Sequence, residues 1–261
     1  GIETTTGPLG QGLATAVGMA LAEKLLSSRF GSNLVDHYTY VIAGDGCLQE
    51  GISHEAIEFS GHLKLSKLIV LWDDNKISID GSTGLSNSAN QIARFKAAGW
   101  HAQIIDGHNH DEIEGALINS KKSRKPSIIA CKTTIGFGAP NLAGTSKTHG
   151  APLGADEIAS TRKVLDWPNE PFDIPKDILE SWKKTTERSK KVFDEWENRF
   201  EKSSKKKRFK LFLDSEISQS YERKMNLFIK QMKQDKPKLA TRQSSQKTLE
   251  LINKIIPNTL G

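Results

Sequence analysis

The sequence predicts an α/β chain: a doubly wound parallel sheet, a charged helical linker after it, and the start of a second α/β domain. Three observations carry that prediction. Short apolar, β-branched runs at 38–43, 68–72, 100–105 and 127–131 alternate with helix-length segments, the pattern of β-α-β units with parallel strands. Pro168, Pro171 and Pro175 close the alternating region, and the charge then changes sign: residues 1–175 carry 15 basic and 19 acidic side chains, residues 176–261 carry 22 and 12. Finally, Lys236-Pro237 breaks a helical pattern and begins a new segment. The domains are read as 1–175, 176–236 and 237–261, with the first and last both cut short.

Taken in order, small and apolar residues from Leu9 to Leu26 predict a closely packed helix reached through the turn Gly7-Pro8-Leu9-Gly10. The strand Tyr38 to Ala43 follows, then a helix over roughly Ser53 to Leu63 and the strand Leu68 to Trp72. A helix at Asn90 to Ala98, a strand at Trp100 to Ile105, a helix from Asp111 with acids in its first turn, and a strand at Ser127 to Cys131 complete the alternation. Next comes a long Gly-rich loop, Thr134 to Leu153, of a length that a compact domain rarely keeps without a functional reason. Residues 176–233 read as two charged amphipathic helices broken near Ser203-Ser204.

At 261 residues, 36% apolar and 26% charged, the chain reads as globular, one full domain with part of another. No apolar stretch approaches the length of a membrane span and no basic-then-apolar leader opens the chain, so a cytoplasmic protein without a membrane partner is expected. Cys47 and Cys131 are too few and too far apart for a disulfide framework and read as small buried residues. The basic run Lys205-Lys206-Lys207-Arg208 raises nucleic acid as a partner. It is short, has few aromatics between its charges and lacks a reading motif, which favours a solvated helix face.

Chemistry concentrates at Gly44-Asp45-Gly46, just past the first strand, and at Asp73-Asp74-Asn75-Lys76-Ile77, just past the second. Singly, each reads as a turn or a solvated loop. Together they lie beyond the carboxyl ends of two parallel strands, where open α/β sheets bind ligands. A hard divalent cation that also holds a diphosphate needs oxygen donors on short side chains, and Asp45, Asn75 and the carbonyl of Ile77 supply them. The flanking glycines let phosphate oxygens approach the backbone.

Gly7-Pro8-Leu9-Gly10-Gln11-Gly12, Gly44-Asp45-Gly46-Cys47-Leu48-Gln49-Glu50-Gly51, Asp73 through Gly81 and His149-Gly150-Ala151-Pro152-Leu153 resemble transketolase, in the same order and at similar spacings. The resemblance implies the thiamine diphosphate-binding fold, with thiamine diphosphate held through Mg²⁺ and with Ca²⁺ or Mn²⁺ as substitutes. Asp45, Asn75 and Ile77 are then the metal ligands, Gly46 contacts the diphosphate, Ile79 packs on the thiazolium, and Gly7 and Leu9 line the pocket. His149 is implied as the catalytic residue, near both diphosphate and substrate. Its pKa near neutrality suits either hydroxyl binding or proton movement. Glu50 resembles the acid at the family's dimer interface, which implies a homodimer with shared active sites. Arg242, in Leu239-Ala240-Thr241-Arg242-Gln243-Ser244-Ser245, resembles the residue that grips a sugar phosphate.

The family's upstream histidines, its aminopyrimidine-activating glutamate and the aromatic pocket for that ring have no counterpart in these residues. The expected activity is transfer of a two-carbon ketol unit from a ketose phosphate to an aldose phosphate, in the pentose phosphate pathway, with little turnover by this segment alone. Dihydroxyacetone synthase and deoxyxylulose phosphate synthase share the diphosphate motif and remain alternatives. So does a non-catalytic cofactor-binding protein or a basic nucleic-acid binder.

Overall fold

The structure, a computed structural model, describes residues 3–213, 219–256 and 258–260. Its sheet is formed by β1 (Thr39–Gly44), β2 (Leu68–Asp74) and, after a small antiparallel hairpin of β3 (Ile77–Ser78) with β4 (Gly81–Ser82), by β5 (His101–Asp106) and β6 (Ser127–Lys132). The four long strands are parallel and lie in the order β1-β2-β6-β5.

Handedness explains where the helices lie. The steps from β1 to β2 through α2 (Gly51–His62) and from β2 to β5 through α3 (Gln91–Ala97) move the chain one way across the sheet. The step from β5 to β6 through α4 (His110–Lys122) moves it back. Parallel crossovers are right-handed, so the reversal sends α4 to the opposite face. The buried side chains agree. Leu68, Val70, Trp72, Ile128 and Ala130 pack with α1 (Gln11–Phe30), α2 and α3, whereas Ile69, Ile129 and Cys131 pack with Ala116 of α4. Each large apolar side chain buried stabilises by about 1.5–3 kcal/mol. The first face, which also holds Leu13, Val17, Leu48, Ile57, Phe95 and Trp100, therefore carries most of the fold's apolar stabilisation. On the other face the rim strand β1 leaves Ile42 79% and Tyr40 47% exposed.

Two features lock the layers. Phe95 meets Trp100 edge-on with centroids 5.0 Å apart, and the Trp100 indole donates to the Ile57 carbonyl at 2.9 Å, tying α3 to α2. There Gly61 comes so close to α3's end that a Cβ would lie 1.8 Å from the Ala98 oxygen. Under α1, Lys67 reaches Glu23 at 2.6 Å and Asp36 at 2.5 Å, so the buried Glu23 carboxylate is neutralised.

The chain divides into two compact units, Gly1–Arg188 and Ser189–Gly261. The first also contains α5 (Ala155–Val164), a helix absent from the sequence reading, as was the hairpin β3–β4. The region 176–235 holds α6 (Lys176–Glu201), α7 (Lys206–Leu213) and α8 (Gln219–Asp235). The break near Ser203-Ser204 falls as expected; the second expected helix spans α7 and α8, and residues 214–218 of it lie outside the described residues. In the second unit Trp196 stacks on Phe200 at 5.0 Å and Phe209 meets Phe200 edge-on at 5.5 Å. That unit ends with α9 (Thr241–Ile255), where Gln243 Oε1 accepts from the Ala240 N–H at 2.9 Å and caps the first turn. Among the described residues no helix is long and apolar enough to cross a membrane.

Candidate cofactor and metal site

The carboxyl ends of β1 and β2 lie side by side because their register pairs Gly44 with Asp73. Asp45 follows directly, and its Oδ2 accepts from the Lys76 N–H at 3.1 Å, the amide between Asn75 and Ile77. Residues 31 apart in sequence thus meet, and the three expected ligand positions share one corner. Asn75 Oδ1 accepts from the Ile77 N–H at 2.9 Å, and its Nδ2 donates to Asp73 Oδ2 at 3.1 Å. Lys76, at φ 63, turns the chain sharply between the two expected ligand positions and pairs its ammonium with the buried Asp74 at 2.6 Å.

Electrostatics favour a cation at this corner. Burial pushes the Asp45 carboxyl above its usual 3.8 and the neighbouring Asp74 adds to the rise, while the Lys76 N–H and ammonium offset it only in part. Asp45 and Asp74 both interact with the Lys76 ammonium, and a carboxylate disfavoured as Asp45 is gains from a divalent ion. Among the described residues no group of three or more His, Cys, Asp or Glu side chains is arranged to hold a metal. The donor set here is instead a carboxylate, a carboxamide and a carbonyl, hard oxygen ligands suited to Mg²⁺ or Ca²⁺.

The adjoining turn is braced and presents a backbone donor. Gly46 leads into a 3-10 turn, Cys47–Gln49, whose carbonyls are occupied from behind. Ser53 Oγ donates to the Cys47 oxygen at 2.5 Å and Arg94 Nη2 to the Leu48 oxygen at 2.8 Å. The Gly46 N–H has no partner among the described residues, which leaves a backbone donor for phosphate oxygens. A Cβ at Gly46 would lie 3.1 Å from Leu9 Cδ1, so two of the expected cofactor residues touch. Gly7 is open, with nothing within 4 Å of a Cβ there, and Ile79 stands 70% exposed at the tip of the β3–β4 hairpin.

The other expected residues lie on other elements. His149 is exposed at the end of a 3-10 turn, Ser146–Thr148, with its N–H donating to the Ser146 oxygen at 3.0 Å. Its loop is nevertheless well held. Thr134 N–H donates to His108 Nε2 at 3.0 Å, Phe137 stacks on His108 at 4.1 Å, and Gly136, at φ 66, lets Thr148 pack directly on the backbone. Glu157 of α5 takes the N–H groups of Asn141 and Leu142 and the Asn141 amide at 2.8–3.1 Å. Those contacts, led by the Asn141 amide, hold the Glu157 carboxyl below its usual 4.5. Glu50 is exposed just before α2, with its Cβ backed by Gly10. Arg242 is exposed in the first turn of α9, in the second unit. Both cysteines are free; Cys131 is buried as expected, Cys47 only half-buried.

Sequence reasoning assigned nothing to Asp73, Thr133, Arg94 or Glu157. Only Asp73 left a signal: it lies two residues before Asn75, on the same side of an extended chain.

Residues 1–225 match the family described as transketolase, thiamine diphosphate binding domain. The chain belongs to the transketolase family. It is 53% identical to transketolase of Sinorhizobium medicae over 261 residues, all of this chain and 38% of the relative, so it spans well under half of that relative's length. Transketolase from Leishmania mexicana superposes with a TM-score of 0.86 at 37% identity, covering 98% of this chain and 39% of that one. Transketolase from Pichia stipitis, solved with sedoheptulose 7-phosphate, gives 0.73 at 42% identity over 77% of this chain and 30% of that one. The matched domain is the thiamine diphosphate-binding part of a transketolase, and the parallel sheet agrees with it.

Proposed function

We propose that this chain supplies the diphosphate- and metal-binding half of a transketolase active site, for two-carbon ketol transfer between sugar phosphates. The observation that carries this is the meeting of Asp45 with the Asn75–Ile77 segment through the Lys76 amide. In this reading Asp45, Asn75 and the Ile77 carbonyl hold Mg²⁺, and the Gly46 N–H donates to a phosphate oxygen. When bound, thiamine diphosphate supplies the nucleophilic carbon and the electron sink for breaking and forming a bond beside a carbonyl.

The chain's own work is positional. Leu9, Gly7 and Ile79 present apolar and open surface to the rings, and the bracing of Cys47 and Leu48 by Ser53 and Arg94 fixes the turn before any ligand arrives. His149, on a loop anchored by His108 and Glu157, binds a substrate hydroxyl or moves its proton. Arg242 engages the substrate phosphate, and Glu50 pairs across a two-fold interface between copies. Sugar phosphates are the substrates; a sedoheptulose phosphate complex of a relative with 42% identity supports that class. A cytoplasmic setting belongs to the same reading. Nucleic acid does not: Lys206 pairs with Glu201 and Lys210 lies over the Phe200 ring, which commits part of the basic run to local packing.

The test is calorimetry of thiamine diphosphate with Mg²⁺ and with EDTA. Wild type should bind only with metal. Asp45→Ala should keep the fold yet lose affinity by more than the roughly 10- to 100-fold that removing a residue behind a metal ligand costs. Equal affinity in both proteins would refute the ligand assignment.

A further inference from the structure

Asp73 stands outside every role described so far, yet it touches two separate parts of the site. Its Oδ2 accepts from Asn75 Nδ2 at 3.1 Å, and its Oδ1 accepts from the Thr133 hydroxyl. Thr133 is the first residue past β6, placed there because β6 runs beside β2 with Cys131 opposite Asp73. It is therefore also the root of the loop that carries His149. We infer that Asp73 is a positioning residue that fixes the orientation of the Asn75 carboxamide and couples it to the root of that loop.

The argument is one of donors and acceptors. A carboxamide can turn over, exchanging its oxygen for its NH₂, and only the oxygen can bind a cation. An ionised carboxylate only accepts, so Asp73 selects the state in which Asn75 offers Nδ2 to it, while Oδ1 turns toward the Ile77 N–H and keeps a lone pair for metal. The second Asp73 oxygen is engaged by Thr133, so a shift at one end is felt at the other. The weaker Thr133 N–H to Asp74 carbonyl contact at 3.5 Å runs parallel to it, just past the β2–β6 ladder. This role rests on the metal site proposed above.

Three variants separate orientation from charge. Asp73→Asn loses the charge but keeps the geometry, since its oxygen can accept from Asn75 and its NH₂ can donate to the Thr133 hydroxyl, which reverses its role. Asp73→Ala loses both contacts, and Thr133→Val loses only the loop contact. Metal-dependent thiamine diphosphate binding by the full chain should fall about 10- to 100-fold in Asp73→Ala, much less in Asp73→Asn and little in Thr133→Val. Hydrogen exchange supplies the second readout: Mg²⁺ with thiamine diphosphate should protect amides of residues 133–137 in wild type and Asp73→Asn, but not in Thr133→Val. Unchanged affinity in Asp73→Ala with an unchanged melting curve overturns the role. Equal losses in Asp73→Ala and Asp73→Asn overturn it too, because charge alone would then account for both. Absence of metal-dependent binding in wild type overturns the site itself and this role with it, whereas failure confined to the Asp73 variants leaves the site standing.

Discussion

Lys67 holds two carboxylates at once, and one of them, Glu23, is only 4% exposed. Burial works against the Lys67 charge, but the hydrogen bonds it donates to Asp36 and Glu23 outweigh it and raise its pKa above 10.5. The raised value means that the stabilisation is complete below pH 10.5 and is lost only as pH climbs through the folded value, so it is constant across neutral conditions. Lys67→Met should cost about 3 kcal/mol, the lower end for a broken buried pair because Lys67 itself keeps solvent contact, read as a lower urea midpoint. Glu157 has the opposite sign. Its depressed pKa stabilises the His149 loop above pH 4.5, and that support is lost as pH falls through its folded value. Exchange of the Asn141 and Leu142 amides should accelerate below that pH in wild type, with no such step in Glu157→Gln.

Among the elements, the close approach of α2 to α3 is the most demanding packing. Gly61→Ala would gain up to about 1 kcal/mol in helix propensity. Its Cβ, however, would meet the Ala98 carbonyl at 1.8 Å, and backbone must shift at a cost of about 3 kcal/mol or more. A lower thermal midpoint is expected, and a raised one would mean that α2 and α3 separate freely. The elements legible in the sequence were those with a clear period: the four long strands, α1, α2 and α4 announce themselves through alternation, apolar spacing or first-turn acids. The hairpin β3–β4 has two residues per strand, too few to show any period. Helix α5 starts after Gly154 without a side-chain cap and buries only Glu157, so no apolar stripe marks it. Its purpose, holding a loop by a carboxylate, is a tertiary fact that no local pattern encodes.

Across the whole molecule, the meeting of Asp45 with the Asn75–Ile77 segment was legible because both sit just past strands whose direction the alternation predicts. Asp73 and Thr133 were not, because their partnership depends on β6 inserting between β2 and β5, an ordering that spacing along the chain leaves open. Arg94 was hidden for the same reason, since its contact with Leu48 spans 46 residues. The two compact units differ in how they are held. The first buries a sheet between helices, whereas in the second Trp196 stacks on Phe200 and Phe209 meets Phe200 edge-on between helices. The uncovered rim at β1 has a practical corollary for anyone purifying the chain. Among the described residues its peptide groups are paired by β2 on one side only, and Ile42 stands beside them in water. Two copies can zip together there with both still folded. A turbidity series at rising protein concentration should show loss of clear solution before any loss of helical signal, and Ile42→Lys should move that onset to higher concentration.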